Sequence, residues 1–279
     1  MHNFEAAGRA SRRGEKEAAL PGLITLLSDF GLRDPFAGIM KGVILTVNPG
    51  ARLVDLTHQV ESFDILDGAL ALAQSYSYFP RGAIHLAVVD PGVGSERRPL
   101  LVSTADAHFI GPDNGLFEMV YQREAKLEVR HITAENYFRK PVSQTFHGRD
   151  IFAPVAGWLS TGLDPQKFGD TITDYVRLPI AEPIRASGSL IRGAVLRIDK
   201  FGNLVTNFTV EHLPAGVGFC LLIAGRRVTR LVNTYAAGGP GEIFAIVGSA
   251  GLVEIAARQA SAAEMVGAST GAEVRLALN

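Results

Sequence analysis

Short, nearly continuous apolar runs alternate with helically spaced stretches through the first two thirds of the chain. Residues 22–28 (GLITLLS) are the first such run and predict a buried strand that ends in Asp29-Phe30-Gly31. Residues 36–47 (FAGIMKGVILTV) carry helical spacing and stop at Asn48-Pro49-Gly50, and residues 52–56 predict a second strand closed by Thr57-His58. Strand, helix and strand in that order imply a parallel crossover. Asp64 then opens an Ala- and Leu-rich helix running to about Tyr78, and Pro80-Arg81-Gly82 leads into a third apolar run at 84–89. Residues 100–103 and 108–110 predict a hairpin, 127–132 another strand, and 151–159 a mainly apolar helix.

The pattern changes after residues 178–188, where Pro179 and Pro183 flank polar residues and predict a linker. Beyond it lie short β-rich segments at 190–198, 204–208, 219–223, 243–247, 252–256 and 274–278, separated by Gly and Asn turns and without a convincing helix. The expected architecture is an α/β N-terminal domain with a mainly parallel sheet, followed by a small all-β, barrel-like C-terminal domain. The expected divisions are a flexible tail at 1–20, the α/β domain at 21–180 and the β domain at 189–279.

Composition narrows the partner. The 27 basic and 28 acidic residues give a net charge of -1, so no global field attracts nucleic acid or an anionic membrane, and a small molecule is the expected partner. No apolar run approaches the roughly 18–20 residues of a membrane span, and the first twenty residues have no hydrophobic stretch of signal-peptide type. Cys220 is the single cysteine, which excludes an internal disulfide, fits a cytoplasmic setting and reads as a core residue between Phe219 and Leu221.

The candidate chemistry centres on residues 83–98, AIHLAVVDPGVGSERR. A buried strand delivers Asp90 into Pro91-Gly92-Val93-Gly94, at the C-terminal strand edge where open α/β sheets place ligands. Arg97 and Arg98 follow in the same loop, so a guanidinium can fold back on the carboxylate and keep it ionised. His58, after Thr57 at a strand end, is expected to be a hydrogen-bonded packing residue. Residues 111–115 (GPDNG) read as a turn. His147 precedes Gly148-Arg149-Asp150 at a helix mouth, where it is placed to meet Asp90. In the β-rich half, Asp199-Lys200-Phe201-Gly202-Asn203 combines an aromatic with an amide able to read a base edge, or is a tight turn. Gly248-Ser249-Ala250-Gly251 sets one hydroxyl between glycines whose N–H groups could hold a carboxylate.

Taken together these blocks resemble the S-adenosyl-L-methionine (SAM) hydrolases, also called SAM hydroxide adenosyltransferases, relatives of the SAM-dependent fluorinase and chlorinase. The resemblance spans about residues 23–278 and rests on LLSDFG (26–31), VDLTH (54–58), VVDPGVGSERR (88–98), GPDNGL (111–116), TFHGRD (145–150), DKFGNLVTN (199–207) and GSAGLVEIA (248–256). It implies an α/β domain followed by a β-barrel-like domain, and a homotrimer with substrate held between neighbouring subunits. It implies hydrolysis of SAM to adenosine and L-methionine, with no metal or cofactor, by a water-activating set matched here by Asp90, Arg97 and His147. By similarity Asp29 binds the ribose hydroxyls, Phe63 packs on the ligand, Asp199 takes the methionine ammonium, Asn203 meets the adenine edge beside Phe201, and Ser249 binds the methionine carboxylate. The fluorinase has an arginine after that serine; this chain has Ala250, which leaves more of the carboxylate binding to backbone amides.

Three other functions are set against this one. A halogenase must desolvate a halide and gains nothing from a carboxylate beside it. A metal-dependent phosphoesterase would need Asp29, Asp90, Asp113, His147 and Asp150 as ligands, but no close HxxE or DxD spacing is present and Arg97 beside Asp90 repels a cation. A non-catalytic SAM or nucleoside sensor would bind without turnover.

Overall fold

The computed structural model describes residues 22–213 and 216–278; the tail expected at 1–20 lies outside the described residues. The chain forms two compact units, the first ending at Leu178 and the second beginning at Pro179.

The first unit is α/β around one six-stranded mixed sheet. Its strands are β1 (Leu23–Ser28), β2 (Arg52–Thr57), β3 (Ala83–Val88), β4 (Pro99–Thr104), β5 (Ala107–Pro112) and β6 (Leu127–His131), in the order β2-β1-β3-β5-β4-β6. The β2-β1-β3-β5 pairings are parallel, whereas β4 runs antiparallel to both β5 and β6. The sheet is therefore parallel over one part and antiparallel where the 100–110 hairpin adds to it, because a two-residue connection can only return the chain antiparallel.

Helices cover both faces, which explains why the central strands are buried without alternation. On one face α1 (Phe36–Val47) and α4 (Ala153–Ser160) pack Met40, Ile44, Val155 and Leu159 against Ile24, Leu26, Leu86 and Val88. On the other, α2 (Ile65–Ser75) and α3 (Glu118–Arg123) pack Leu72 and Val120 against Leu27, Ala87, Val89 and Phe109. Alternate residues of β1 and β3 thus serve opposite cores. Asp64 caps α2 by accepting from the Asp67 N–H at 2.9 Å. Gly68 in α2 has no room for a Cβ, which would stand 2.9 Å from Val89 Cγ2 and Leu116 Cδ1, so the helix seats directly on the strand that ends in Asp90.

Within the sheet His85 is fully buried, its Nδ1 2.7 Å from Thr25 Oγ1 and its ring stacked 5.0 Å from Phe109. Burial, reinforced by His108, pushes its pKa down to about 3, so it is a neutral packing histidine. His58 is a hydrogen-bonded packing residue, as the sequence implied: it is buried, 2.7 Å from Ser28 Oγ through Nδ1 and donating from Nε2 to Asp55 Oδ1 at 3.0 Å.

The second unit is β-rich. Its strands are β7 (Ile184–Ser187), β8 (Leu190–Ile198), β9 (Leu204–Thr209), β10 (Phe219–Ile223), β11 (Arg226–Val228), β12 (Leu231–Val232), β13 (Ile243–Val247), β14 (Leu252–Ala257) and β15 (Glu273–Leu278). The path runs β11-β10-β15-β8-β9-β14-β13-β12, with β7 pairing β8 from the side. Val195, Leu204, Phe208, Leu221, Ile255 and Val274 form its core, and Cys220 is buried. Three features correct the sequence reading. Part of the expected linker is strand β7. The three- and two-residue strands β11 and β12 were missed. A helix, α5 (Ala262–Val266), exists, capped by Ser261 accepting from the Glu264 N–H and ended by left-handed Gly267. No helix among the described residues is long and apolar enough to cross a membrane.

Candidate active site

β1 and β3 are parallel neighbours with Ser28 opposite Val88, so Asp29 and Asp90 leave the sheet at the same edge. The chain after Asp90 turns tightly: Val93 N–H donates to Asp90 O at 3.2 Å and Ser95 N–H to Gly92 O at 3.1 Å. Gly94 is the fixed point of this turn. Its φ is +79°, and a Cβ there would stand 2.2 Å from Gln144 O, so the loop meets the strap before His147 backbone to backbone.

The turn brings Arg97 back onto Asp90. Arg97 Nε lies 3.0 Å from both carboxylate oxygens and Nη2 2.5 Å from Oδ2, with the side chains 8% and 5% exposed. The guanidinium stands 5.1 Å above the centroid of the buried Phe152 ring. Arg98 points elsewhere, donating to Asp113 Oδ2 and Asp174 Oδ1, both at 2.8 Å. The adjacent arginines therefore have separate tasks. The GPDNG turn is tied in by Arg98, and Asn114 Nδ2 donates to Val89 O at 2.8 Å.

His147 joins the pair. Arg97 Nη2 donates to His147 Nδ1 at 2.7 Å. A guanidinium only donates, so Nδ1 holds a lone pair and the ring proton sits on Nε2. Burial lowers the pKa of His147 and the Arg97 charge lowers it further, against Asp90, Asp150 and a backbone bond at Ser143, which raise it. The histidine is therefore neutral at pH 7. It stands where the chain enters a π-helical turn, Gly148–Phe152, that runs on into α4; the sequence predicted the helix start but not the wide turn.

Asp90 and His147 line a pocket of about 130 Å³ with Val88, Val93 and Thr145. Its wall is aromatic: Phe30, Phe36 and Phe146 meet edge to face at centroid distances of 5.8, 5.9 and 5.3 Å. Each such pair contributes about 0.5–1.5 kcal/mol beyond area burial. The sequence reading missed all three rings, although Phe30 and Phe146 adjoin Asp29 and His147 within the quoted blocks.

The remaining predicted residues form two local groups. In the first unit, Asp29 Oδ2 accepts from the Phe63 N–H at 2.9 Å, and Phe63 is 72% exposed with φ +68°, a conformation that costs a non-glycine residue about 1 kcal/mol or more. In the second unit, Asp199 Oδ1 accepts from the N–H groups of Phe201 and Asn203 at 2.8 and 2.9 Å, and Oδ2 from Asn203 Nδ2 at 2.8 Å. Phe201 is exposed above this turn and Asn203 is buried. A carboxylate has about four acceptor positions, so Asp199 keeps one for a further donor. Ser249 is exposed in the turn between β13 and β14. The two glycines flanking that turn spend their N–H groups inside it, Gly248 on Leu252 O and Gly251 on Gly248 O, both at 2.9 Å. The expected nest of glycine N–H groups is to that extent absent. Glu254, missed from sequence, accepts from Tyr235 Oη at 2.9 Å, and its Oε1 lies 2.0 Å from where a Gly248 Cβ would be.

No group of three or more His, Cys, Asp or Glu side chains among the described residues is arranged to hold a metal ion. Asp113 and Asp150 are both committed to arginines.

Residues 24–169 match the family profile of the SAM hydroxide adenosyltransferase N-terminal domain, and residues 193–275 that of its C-terminal domain. The chain belongs to the SAM hydroxide adenosyltransferase family. It is 37% identical over 262 residues to the (R)-S-adenosyl-L-methionine hydrolase of Thermus thermophilus, covering 91% of this chain and 98% of that one. The corresponding enzyme of Salinispora tropica is 36% identical, covering 91% and 97%. A fluorinase of Nocardia brasiliensis is 26% identical, covering 91% and 96%. Among solved structures, a conserved protein of Thermotoga maritima matches with a TM-score of 0.84 at 32% identity, covering 91% of this chain and 99% of that one. Membership of the SAM hydroxide adenosyltransferases gives the Asp90, Arg97 and His147 constellation a chemical context: a family whose name specifies transfer of an adenosyl group to hydroxide.

Proposed function

We propose that the protein hydrolyses SAM to adenosine and L-methionine. The observation that carries this is the Asp90–Arg97–His147 cluster at the mouth of an aromatic pocket, where Arg97 Nη2 bonds both partners at once. The sulfonium of SAM already activates C5′, and methionine leaves as a neutral thioether that needs no protonation. Water oxygen bonds to C5′ as the C5′–S bond breaks, the bonding pair goes to sulfur, and the water proton passes to Asp90. What the site must supply is a held, polarised water in line with the breaking bond. Asp90 is the acceptor, because His147 Nδ1 is already occupied by Arg97 and Nε2 carries its proton. Arg97 aligns the carboxylate, and the imidazole orients the water. Halide is the poorer nucleophile here, since an anionic Asp90 repels it.

Asp29 and Phe63 hold the ribose side of the ligand, Asp199 the ammonium, Asn203 and Phe201 the adenine, and Ser249 the carboxylate. The α/β domain carries the water-activating residues and the β domain contributes to adenine and methionine binding. A homotrimer with sites completed by neighbouring subunits, in the cytoplasm, is the accompanying reading.

The test is incubation of purified protein with SAM, with and without EDTA and chloride, and identification of the nucleoside by chromatography and mass. Adenosine with methionine, undiminished by EDTA, is expected. A 5′-halo nucleoside would assign the protein to the halogenases instead, and intact SAM would refute turnover.

The rate should also report the state of His147. Its pKa is depressed, so the neutral form persists as pH falls through 6.5, and the acid limb of kcat should have its midpoint below that value. A pH–rate profile falling already above pH 6.5 would contradict the neutral role.

A further inference from the structure

We infer that Asp150, which does not line the pocket, is a positioning residue that fixes His147 and Phe146 through the strap at residues 139–146. The inference rests on the hydrolase reading of the site. Asp150 is completely buried in the π-helical turn directly after His147. Its carboxylate gathers four donors: Arg149 Nε at 2.7 Å and Nη2 at 2.8 Å, Ser143 N–H at 2.9 Å and Arg139 Nη1 at 3.2 Å. Its own carbonyl accepts from the Arg139 N–H at 2.8 Å. One residue thus clamps the strap at two points, 139 and 143.

Both outputs of the clamp reach the pocket. Ser143 Oγ accepts from the Phe146 N–H at 3.0 Å, and the Arg149 guanidinium lies 5.3 Å from the Phe146 centroid, fixing that ring from two sides. The Ser143 backbone also bonds His147. Burial alone would raise the pKa of Asp150, but Arg149 and the amide and hydroxyl of Ser143 outweigh it and hold the group at about 2, so the clamp is closed at any working pH. The charged groups facing His147 are Arg97 and Asp90 from the loop after β3 and Asp150 from its own turn.

Asp150→Asn keeps the shape and removes the charge. Arg149→Gln with Asp150→Asn removes, together with the charge, the half-buried guanidinium that would otherwise face a neutralised partner, and serves if the single variant fails to fold. In either, kcat for SAM should fall by about 10- to 100-fold, with KM within about twofold. The titration midpoint of the His147 ring, followed by NMR and assigned with His147→Gln, should drop by about half a unit or more as the negative charge is lost. An unmoved midpoint, or a loss of kcat that only follows the fraction of protein unfolded, would overturn the proposal. Wild-type protein that leaves SAM intact would refute the hydrolase reading alone, and the His147 midpoint would still decide the role of Asp150.

Discussion

Asp90→Ala should lower turnover of SAM by about a thousandfold or more while SAM affinity, measured calorimetrically, changes by less than about threefold. The loss is large because two functions vanish together. The water loses its proton acceptor, and Arg97, 92% of whose side chain is out of solvent, loses the anion that engages its Nε and Nη2. An unpaired guanidinium at the pocket would draw His147 or solvent toward itself and disorder the in-line geometry. Asp90→Asn separates the two effects, since it preserves shape and some bonding to Arg97 but cannot take a proton. Turnover above a tenth of wild type in either variant would remove Asp90 from the role of acceptor.

Phe152→Ala should cost about 3–5 kcal/mol of stability in denaturant unfolding. The ring is fully buried and belongs to the core that joins α1 and α4 to the sheet, among Met40, Ile44, Val155 and Leu86. It is also the surface on which the Arg97 guanidinium rests. The substitution should therefore reduce kcat in protein that remains folded, because the arginine loses the floor that sets its height against Asp90. A cost below about 1 kcal/mol would mean that neighbouring side chains refill the space, contrary to the packing of this core.

The sequence made the acid, the arginine and the histidine legible for local reasons. A buried run breaking into Pro-Gly-Val-Gly leaves little choice about where Asp90 emerges, and Arg97 lies within reach of it along the same loop. The helix start after Gly148 was equally local. Spacing alone left either of two adjacent arginines able to fold back, and the family resemblance singled out Arg97; what holds Arg98 away is Asp113 and Asp174, the latter 76 residues distant. The aromatic wall has the same origin, since it closes only where Phe146 meets Phe30 and Phe36 from a segment far along the chain. In the β-rich half, β11 and β12 are too short to show a period and exist through pairing with β10 and β13. The helix α5 did carry a signal, Ser261 three residues before Glu264, but its five residues fall below the length at which spacing is recognisable.

The contact of Gly94 with Gln144 O joins the two halves of the catalytic cluster by main chain alone. Side chains reach their positions through rotamers, and rotamers relax; two backbones in van der Waals contact have no such freedom. The spacing between acid and histidine is thereby insulated from the identity of the exposed residues around the turn. Exposed Glu96 can be exchanged without disturbing that spacing, whereas position 94 admits no side chain at all.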